Sequence, residues 1–419
     1  MRRLALAVIA IAAAARAQTP EAPGHYVGVA SCANSGCHGS TVPLEAQRVR
    51  QNEYYTWLHS DRHAQSYNVL FNAVSARIAK NMRLKAKPYQ EKVCLDCHST
   101  NVPKELISGR IDLEDGVQCE ACHGPASGWR AEHVQEGWTH AQSVARGMID
   151  QRDVRVRAHT CDRCHVGAAD REVDHELIAS GHPQLAFELD NYTETMPAHW
   201  NPNATHGARA WATGQAMALR DSLNNLARHA RGEKWPEFSD MSCYNCHHAL
   251  RGAARQERGW PGRAGLPAWS PQRWAVTRLI VEKAAPSPSL DAAIANVAAR
   301  VSRMNDPAGI ASAAEEARRL VEAALPRIDA LTWSDRDIRA MIETIASQRD
   351  FLLRSDVHSA EQTALSLQSL AAALTRRNPS LAKGALMRSI DALFDEVKVR
   401  DDYDASRFAE KLAAVRGAV

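Results

Sequence analysis

Beyond its N-terminus the sequence has no run of 18 apolar residues, which excludes a membrane-spanning helix there. No cysteine is left over: the ten fall into five close pairs. From residue 273 onward there is no cysteine at all, and the only histidine is His358. An excess of charge is also missing. Lys and Arg number 51 against 48 Asp and Glu, and Arg2, Arg3 and Arg16 lie in the first 17 residues. Without those three the chain is formally neutral, so charge gives no reason to expect nucleic acid or an anionic membrane as partner.

What is present begins with MRRLALAVIAIAAAARAQTP. Arg2 and Arg3 precede an apolar core, Leu4 to Ala15, and Ala15-Arg16-Ala17 is a small-x-small cleavage signal. Residues 1–17 therefore read as a secretory signal peptide cut before Gln18. A membrane anchor is the other reading, but the apolar core is too short to span a bilayer. The expected product is periplasmic or otherwise exported and not an integral membrane protein.

The cysteine pairs are Cys32/Cys37, Cys94/Cys97, Cys119/Cys122, Cys161/Cys164 and Cys243/Cys246, in CANSGCH, CLDCH, CEACH, CDRCH and CYNCH. The second cysteine is followed each time by histidine: His38, His98, His123, His165 and His247. Disulfides have no use for that neighbour, and zinc knuckles need a second ligand pair elsewhere. Covalent haem c needs this arrangement: two thiols form thioethers with the vinyl groups and the histidine reaches the iron as proximal ligand. Five haem c groups are expected, or four if the longer Cys32/Cys37 spacing marks a disulfide instead. Asn34-Ser35-Gly36 is turn-forming, so two extra residues can loop out while both sulfurs reach the vinyls.

Of the thirteen other histidines, twelve lie between residues 25 and 248, the span of the haem sites, and up to five of them are expected as distal ligands. About 225 residues for five haems leave about 45 each, so the core of this half should be cofactor wrapped by short helices and loops.

YVGVASCANSGCHGS, WLHSDRHAQSY and GVQCEACHGP, in that order, resemble the cytochrome c-554 family of multihaem cytochromes over roughly residues 25–200. The resemblance implies distal ligands one by one. His63, of the His-Ala pair, would cap the haem of His123, and His133 that of His38. His199, in MPAHW, would cap the haem of His165. It also implies an open face on the His98 haem. The chain departs from the family in its first spacing, its fifth site and its long C-terminal extension. DHELIASGHPQLAFEL, with His175 and His182, is then a candidate source of ligands for the second or fifth haem. Gly181 and Pro183 should stop the helix near Ser180, placing His182 on a turn, and His182 is favoured over His175. His248 is expected to point away from the iron of its neighbour His247.

Leu44, Val49, Tyr54, Trp57 and Leu58 are spaced like one helix face. Residues 251–272, rich in Gly, Pro and Arg, read as a linker or wrapping loop whose Trp260 and Trp269 pack rather than relay electrons. Residues 273–419 read as about five or six packed helices, with breaks near Pro286–Pro288, Asn305–Pro307, Pro326, Ser355-Asp356 and Asn378-Pro379. Ser334 with Asp337 forms a capping-box signature. The fold class is thus mainly α: a multihaem cytochrome c core with little regular sheet over 18–250, then an α-helical bundle. Redox proteins, as donor and acceptor, are the expected partners. An enzyme acting on small nitrogen compounds at the open His98 haem is the alternative, although no C-x-x-C-K site is present. A structural subunit of stacked cytochromes is a third reading.

Overall fold

The computed structural model describes residues 24–44, 49–200, 207–247 and 266–419. The expected signal peptide, His248 and Trp260 lie outside the described residues. The first part is built of short helices joined by loops and 3-10 turns: α1 (Glu53–Ser60), α2 (Ala73–Asn81), α3 (Lys92–His98), α4 (Cys119–His123) and α5 (His140–Ala145). Then come α6 (Val154–His165), α7 (His175–Ala179), α8 (Leu189–Thr195) and the long α9 (Ala208–Arg231). The remainder comprises α10 (Thr277–Ala284), α11 (Pro288–Val301), α12 (Pro307–Asp329), α13 (Asp335–Ala346), α14 (Arg349–Leu352), α15 (Val357–Arg377), α16 (Ala385–Val397) and α17 (Ala405–Gly417). Among the described residues β structure is limited to isolated bridges, such as Met241 with Trp269.

Local chemistry accounts for most helix boundaries. Side-chain oxygens of Asp153, Asp174 and Asp356 accept first-turn amides at the starts of α6, α7 and α15. Ser334 and Asp337 form the expected capping box at α13. Pro288 and Pro307 open α11 and α12, where a missing N–H costs nothing. The expected break at Pro326 does not occur. The proline falls in the last turn of α12, where it removes one backbone bond, and buried Leu325 and Ile328 hold that turn in place. The C-terminal part has eight helices rather than five or six, because α10 and α14 are short additional pieces and Arg400–Asp402 separates α16 from α17. The expected helix face from Leu44 to Leu58 is only partly present. Helix α1 starts at Glu53, after Gln51 with φ 62°, and Leu44 and Val49 are exposed outside it.

The apolar core is unevenly shared. One large cluster runs from Val154 on α6 to Val415 on α17. Helix α9 is its axis: Trp211, Leu219, Leu223 and Leu226 are fully buried, and the Trp211 indole meets Trp333 edge-on at 5.7 Å. Gly214 lets α8 cross closely, since a Cβ there would lie 2.6 Å from that of Leu189. Polar contacts reinforce the α8–α15 junction. Glu188 caps α8 and accepts the Ser369 hydroxyl, Asn191 donates to Gln368 at 2.6 Å, and Arg376 pairs with Asp190 and Glu194. Buried Trp269 joins the same cluster, which agrees with a packing role.

Residues 24–150 have no such core. Their buried apolar residues form two small groups, Val29/Trp57/Ala64 and Tyr67/Leu70/Leu95, with Ile78, Ala79, Ala126 and Trp129 buried outside them. At roughly 1.5–3 kcal/mol per large buried side chain, these ten residues fall far short of the ordering entropy of this many residues. The segment calls for another apolar body around which to fold.

At the C-terminal end of α9 the His229 ring bridges two acids, with Nδ1 2.7 Å from Asp240 and Nε2 3.0 Å from Glu172. Burial alone would lower the imidazole, but its hydrogen bonds to Asp240 and Glu172 outweigh this and raise it to about 9. Burial drives Asp240 upward despite the imidazole. His229 and Arg228 hold Glu172 low. A group raised in the folded state stabilises most below its unfolded value, about 6.5, and its contribution fades as pH rises through the folded value. The stability advantage of wild type over His229→Gln, about 1.5–3 kcal/mol for a charged hydrogen bond, should be full at pH 6 and lost above pH 9. Urea midpoints of the two proteins across that range provide the check; an advantage independent of pH would mean that the ring is neutral.

Candidate haem sites

Three thiol pairs lie on helix ends: Cys94, Cys97 and His98 close α3, Cys119, Cys122 and His123 form α4, and Cys161, Cys164 and His165 close α6. Residues i, i+3 and i+4 share one helix face, so two sulfurs and an imidazole point the same way. Cys243 opens a 3-10 turn that leads through Cys246 to His247. At the first pair, Asn34 organises the longer loop. Its side chain accepts from the Gly36 amide at 2.9 Å, its carbonyl accepts from Cys37 and Gly39, and the His38 amide returns to the Cys32 carbonyl at 3.2 Å. Gly39 is required there, because a Cβ would lie 1.9 Å from the Ala33 carbonyl oxygen. No disulfide joins any two of the ten cysteines.

Each of the five following histidines faces a second imidazole. The ring centroids of His38 and His133 are 6.2 Å apart, those of His63 and His165 6.2 Å, and those of His98 and His182 6.5 Å. His123 and His199 are separated by 6.5 Å, and His175 and His247 by 6.4 Å. Metal–imidazole bonds of about 2.0 Å on each side, plus about 1.1 Å from nitrogen to ring centre, place two imidazoles on one metal about 6.2 Å apart. Five pairs cluster at that spacing, so the residues fit haem iron held between two histidines.

The other ring nitrogen is committed in six of the ten. Nδ1 of His38 donates to Glu53 at 3.0 Å and Nδ1 of His63 to Asp61 at 2.9 Å. Backbone carbonyls of Ser66, Arg130, Pro183 and Pro197 take those of His98, His133, His182 and His199. Such bonds fix the tautomer and leave Nε2 as the lone-pair donor, the usual support of a metal-bound imidazole. Burial pushes His123 and His165 down to about 4, and it also lowers His98, His182 and His199. These rings are held neutral, the form that binds a metal.

The arrangement differs from the expected pairing in three places. His63 faces His165 and His199 faces His123, an exchange of the partners that the family resemblance implied. The reason lies in the turn after α1: Asp61 accepts both the amide and the Nδ1 of His63 and turns its ring toward α6. His98, expected to have an open face, has His182 opposite it. The fifth pair uses His175 rather than His182. Helix α7 does stop at Ala179, as Gly181 and Pro183 predicted, and its first residue faces His247 while the turn after it faces His98. The remaining described histidines are occupied elsewhere; His140, His159, His229 and His358, for example, pair with acids.

Several supporting residues were not singled out from sequence. Phe187 stacks on His165 at 4.9 Å. Glu120, between the cysteines of α4, accepts amides of Val27, Gly28 and Ala126, tying the first site to the third. The second and fourth sites adjoin, since Cys97 and Cys164 lie close enough to interact.

Paired thiols followed by histidine, each facing a second imidazole across a metal-sized gap, define a c-type cytochrome. Residues 31–124 match the family model described as cytochrome c554 and c-prime, and the chain is a c-type cytochrome resembling that family. The matched span holds the first three thiol pairs. No curated protein and no solved structure matches the chain. Covalently bound haem c follows from the class. No helix among the described residues is long and apolar enough to cross a membrane.

The pairing predicts that His182→Ala leaves one ferric haem high-spin and, once reduced, able to bind carbon monoxide. Magnetic circular dichroism and carbon monoxide titration measure this, and a variant that stays wholly low-spin would remove His182 as the partner of His98.

Proposed function

We propose that this is an exported pentahaem c-type cytochrome that carries electrons between redox proteins through bis-histidine haems. The carrying observation is that all five proximal histidines, His38, His98, His123, His165 and His247, face a second imidazole at 6.2–6.5 Å. The ligand sets are then His38/His133, His98/His182, His123/His199, His165/His63 and His247/His175. The ten cysteines hold the macrocycles as thioethers. Haem c supplies reversible one-electron chemistry at iron.

The protein's own part is to hold each imidazole oriented and unable to leave. Asp61 and Glu53 orient His63 and His38 by accepting their Nδ1–H, and burial keeps His123 and His165 neutral. Two fixed ligands keep the coordination unchanged between oxidation states, which favours electron transfer over chemistry on a bound small molecule. The alternative enzyme requires an open position, and its best candidate, the His98 site, has His182 opposite it. The adjoining first to fourth sites suit passage along a chain. In this reading residues 18–250 are the cytochrome domain, 251–272 a connection and 273–419 a helical domain, with α9 packed into the core of the latter.

EPR or magnetic circular dichroism of the oxidised protein should show low-spin haem only, and intact mass with pyridine haemochrome should count five haems. A native high-spin haem that binds and turns over hydroxylamine or nitric oxide would overturn the carrier reading. His63→Met should raise the midpoint of a single haem, since methionine ligation favours the reduced state. In a His63→Met protein also lacking Cys161 and Cys164, that shifted component should be absent; its persistence would assign His63 to another site.

A further inference from the structure

One stretch breaks the even charge of the chain. Residues 77–92 carry Arg77, Lys80, Arg83, Lys85, Lys87 and Lys92 against a single acid, Glu91. All six bases are exposed. Only Lys92 has an ion pair among the described residues, with Asp96. The bases surround an apolar centre that protein packing leaves uncovered: Val69, Phe71, Val74 and Val93 are all exposed, Phe71 at 57%. Exposed apolar groups rimmed by charge mark interaction sites.

This face leads inward to a haem attachment residue. Phe71 stacks on Tyr89 with ring centroids 4.3 Å apart and planes 11° from parallel, and it meets Tyr67 edge-on at 5.4 Å. Tyr67 and Tyr89 belong to the small cluster that packs against Cys94. Val93 is the neighbour of Cys94 in the chain. Packed side chains thus link the Phe71 ring, through Tyr67 and the Tyr67/Leu70/Leu95 cluster, to Cys94 of the second site.

We propose that the basic face around Phe71 is the docking surface for an acidic redox protein that exchanges electrons with the Cys94/Cys97/His98 haem. This rests on the carrier reading. One electron passes per encounter: one protein is oxidised and the other reduced, with no bond made or proton moved. The bases steer an acidic partner and set the association rate, and the apolar centre brings the two redox groups close. A protein partner is favoured over an anionic lipid surface. Helix α2 turns Ile78 and Ala79 into the protein, so it offers no long free apolar face to lie in a bilayer, and the uncovered residues are few.

The test uses the holoprotein and, as probe, an acidic plant-type ferredoxin at low ionic strength. The proposal expects salt-sensitive binding and electron exchange. Lys80→Glu/Lys85→Glu/Lys87→Glu should weaken binding at least about tenfold and flatten its salt dependence. Phe71→Ala should slow electron exchange at saturating ferredoxin while leaving salt dependence intact. Reversing Arg303, in the turn before α12, with Arg319 and Arg327 on α12 should change neither. An unaltered low-spin spectrum shows that each variant is folded, and it tests the carrier reading separately. The proposal falls if wild type does not bind ferredoxin, if the two triple reversals weaken binding equally, or if Phe71→Ala exchanges electrons as fast as wild type. It falls too if vesicles of phosphatidylserine and phosphatidylcholine bind the face more tightly than ferredoxin does.

Discussion

The structure of residues 24–247 depends on the spacing of imidazole pairs. Five times, two rings from different parts of the chain are held about 6.2–6.5 Å apart, too far for direct contact and right for one metal atom between them. The apolar clusters of residues 24–150 are too small to impose such distances. Haem, bound covalently and rich in apolar surface, is the missing body. It explains how this half manages with short helices, single-turn segments and charged side chains buried as struts, such as Glu120 and Asp61.

Two building methods meet in one chain. The haem-bearing half gains order from cofactors, whereas α9 to α17 gain it from ordinary apolar packing. The boundary is not abrupt. Helix α6 ends in a haem-attachment motif, yet its Val154 and Ala158 belong to the same cluster as Leu412 of α17. Phe187 likewise stacks on His165 while lying in that cluster. The C-terminal helices therefore brace the fourth site directly, which gives the extension a structural role whatever else it does.

How much of this was readable from sequence follows from range. Attachment was readable because two thiols and an imidazole are neighbours at i, i+3 and i+4, and one helical turn presents them together. Helix starts at Ser334, Pro288 and Pro307 were readable for the same reason: a cap acts within three residues. The opposite imidazole comes from 72 to 102 residues away in the five pairs, a matter of tertiary path, so the candidates were readable but not the partners, and two were exchanged. The clue to one exchange was local after all. Asp61, two residues before His63, fixes that ring by its amide and its Nδ1, and an acid so placed is visible in HSDRH.

The segment from His175 to Phe187 shows why ligand choice and helix length are one problem. Had α7 continued past Ser180, His182 would have stayed near the face of His175, and both rings would have approached the same region. Gly181, with φ 116°, ends the helix and redirects the chain. His175 then faces His247, His182 faces His98, and Phe187 reaches His165. Thirteen residues thus touch three sites. In the proposed carrier this economy would help, because a backbone that offers imidazoles to two sites and packs on a third cannot release one without straining the other contacts.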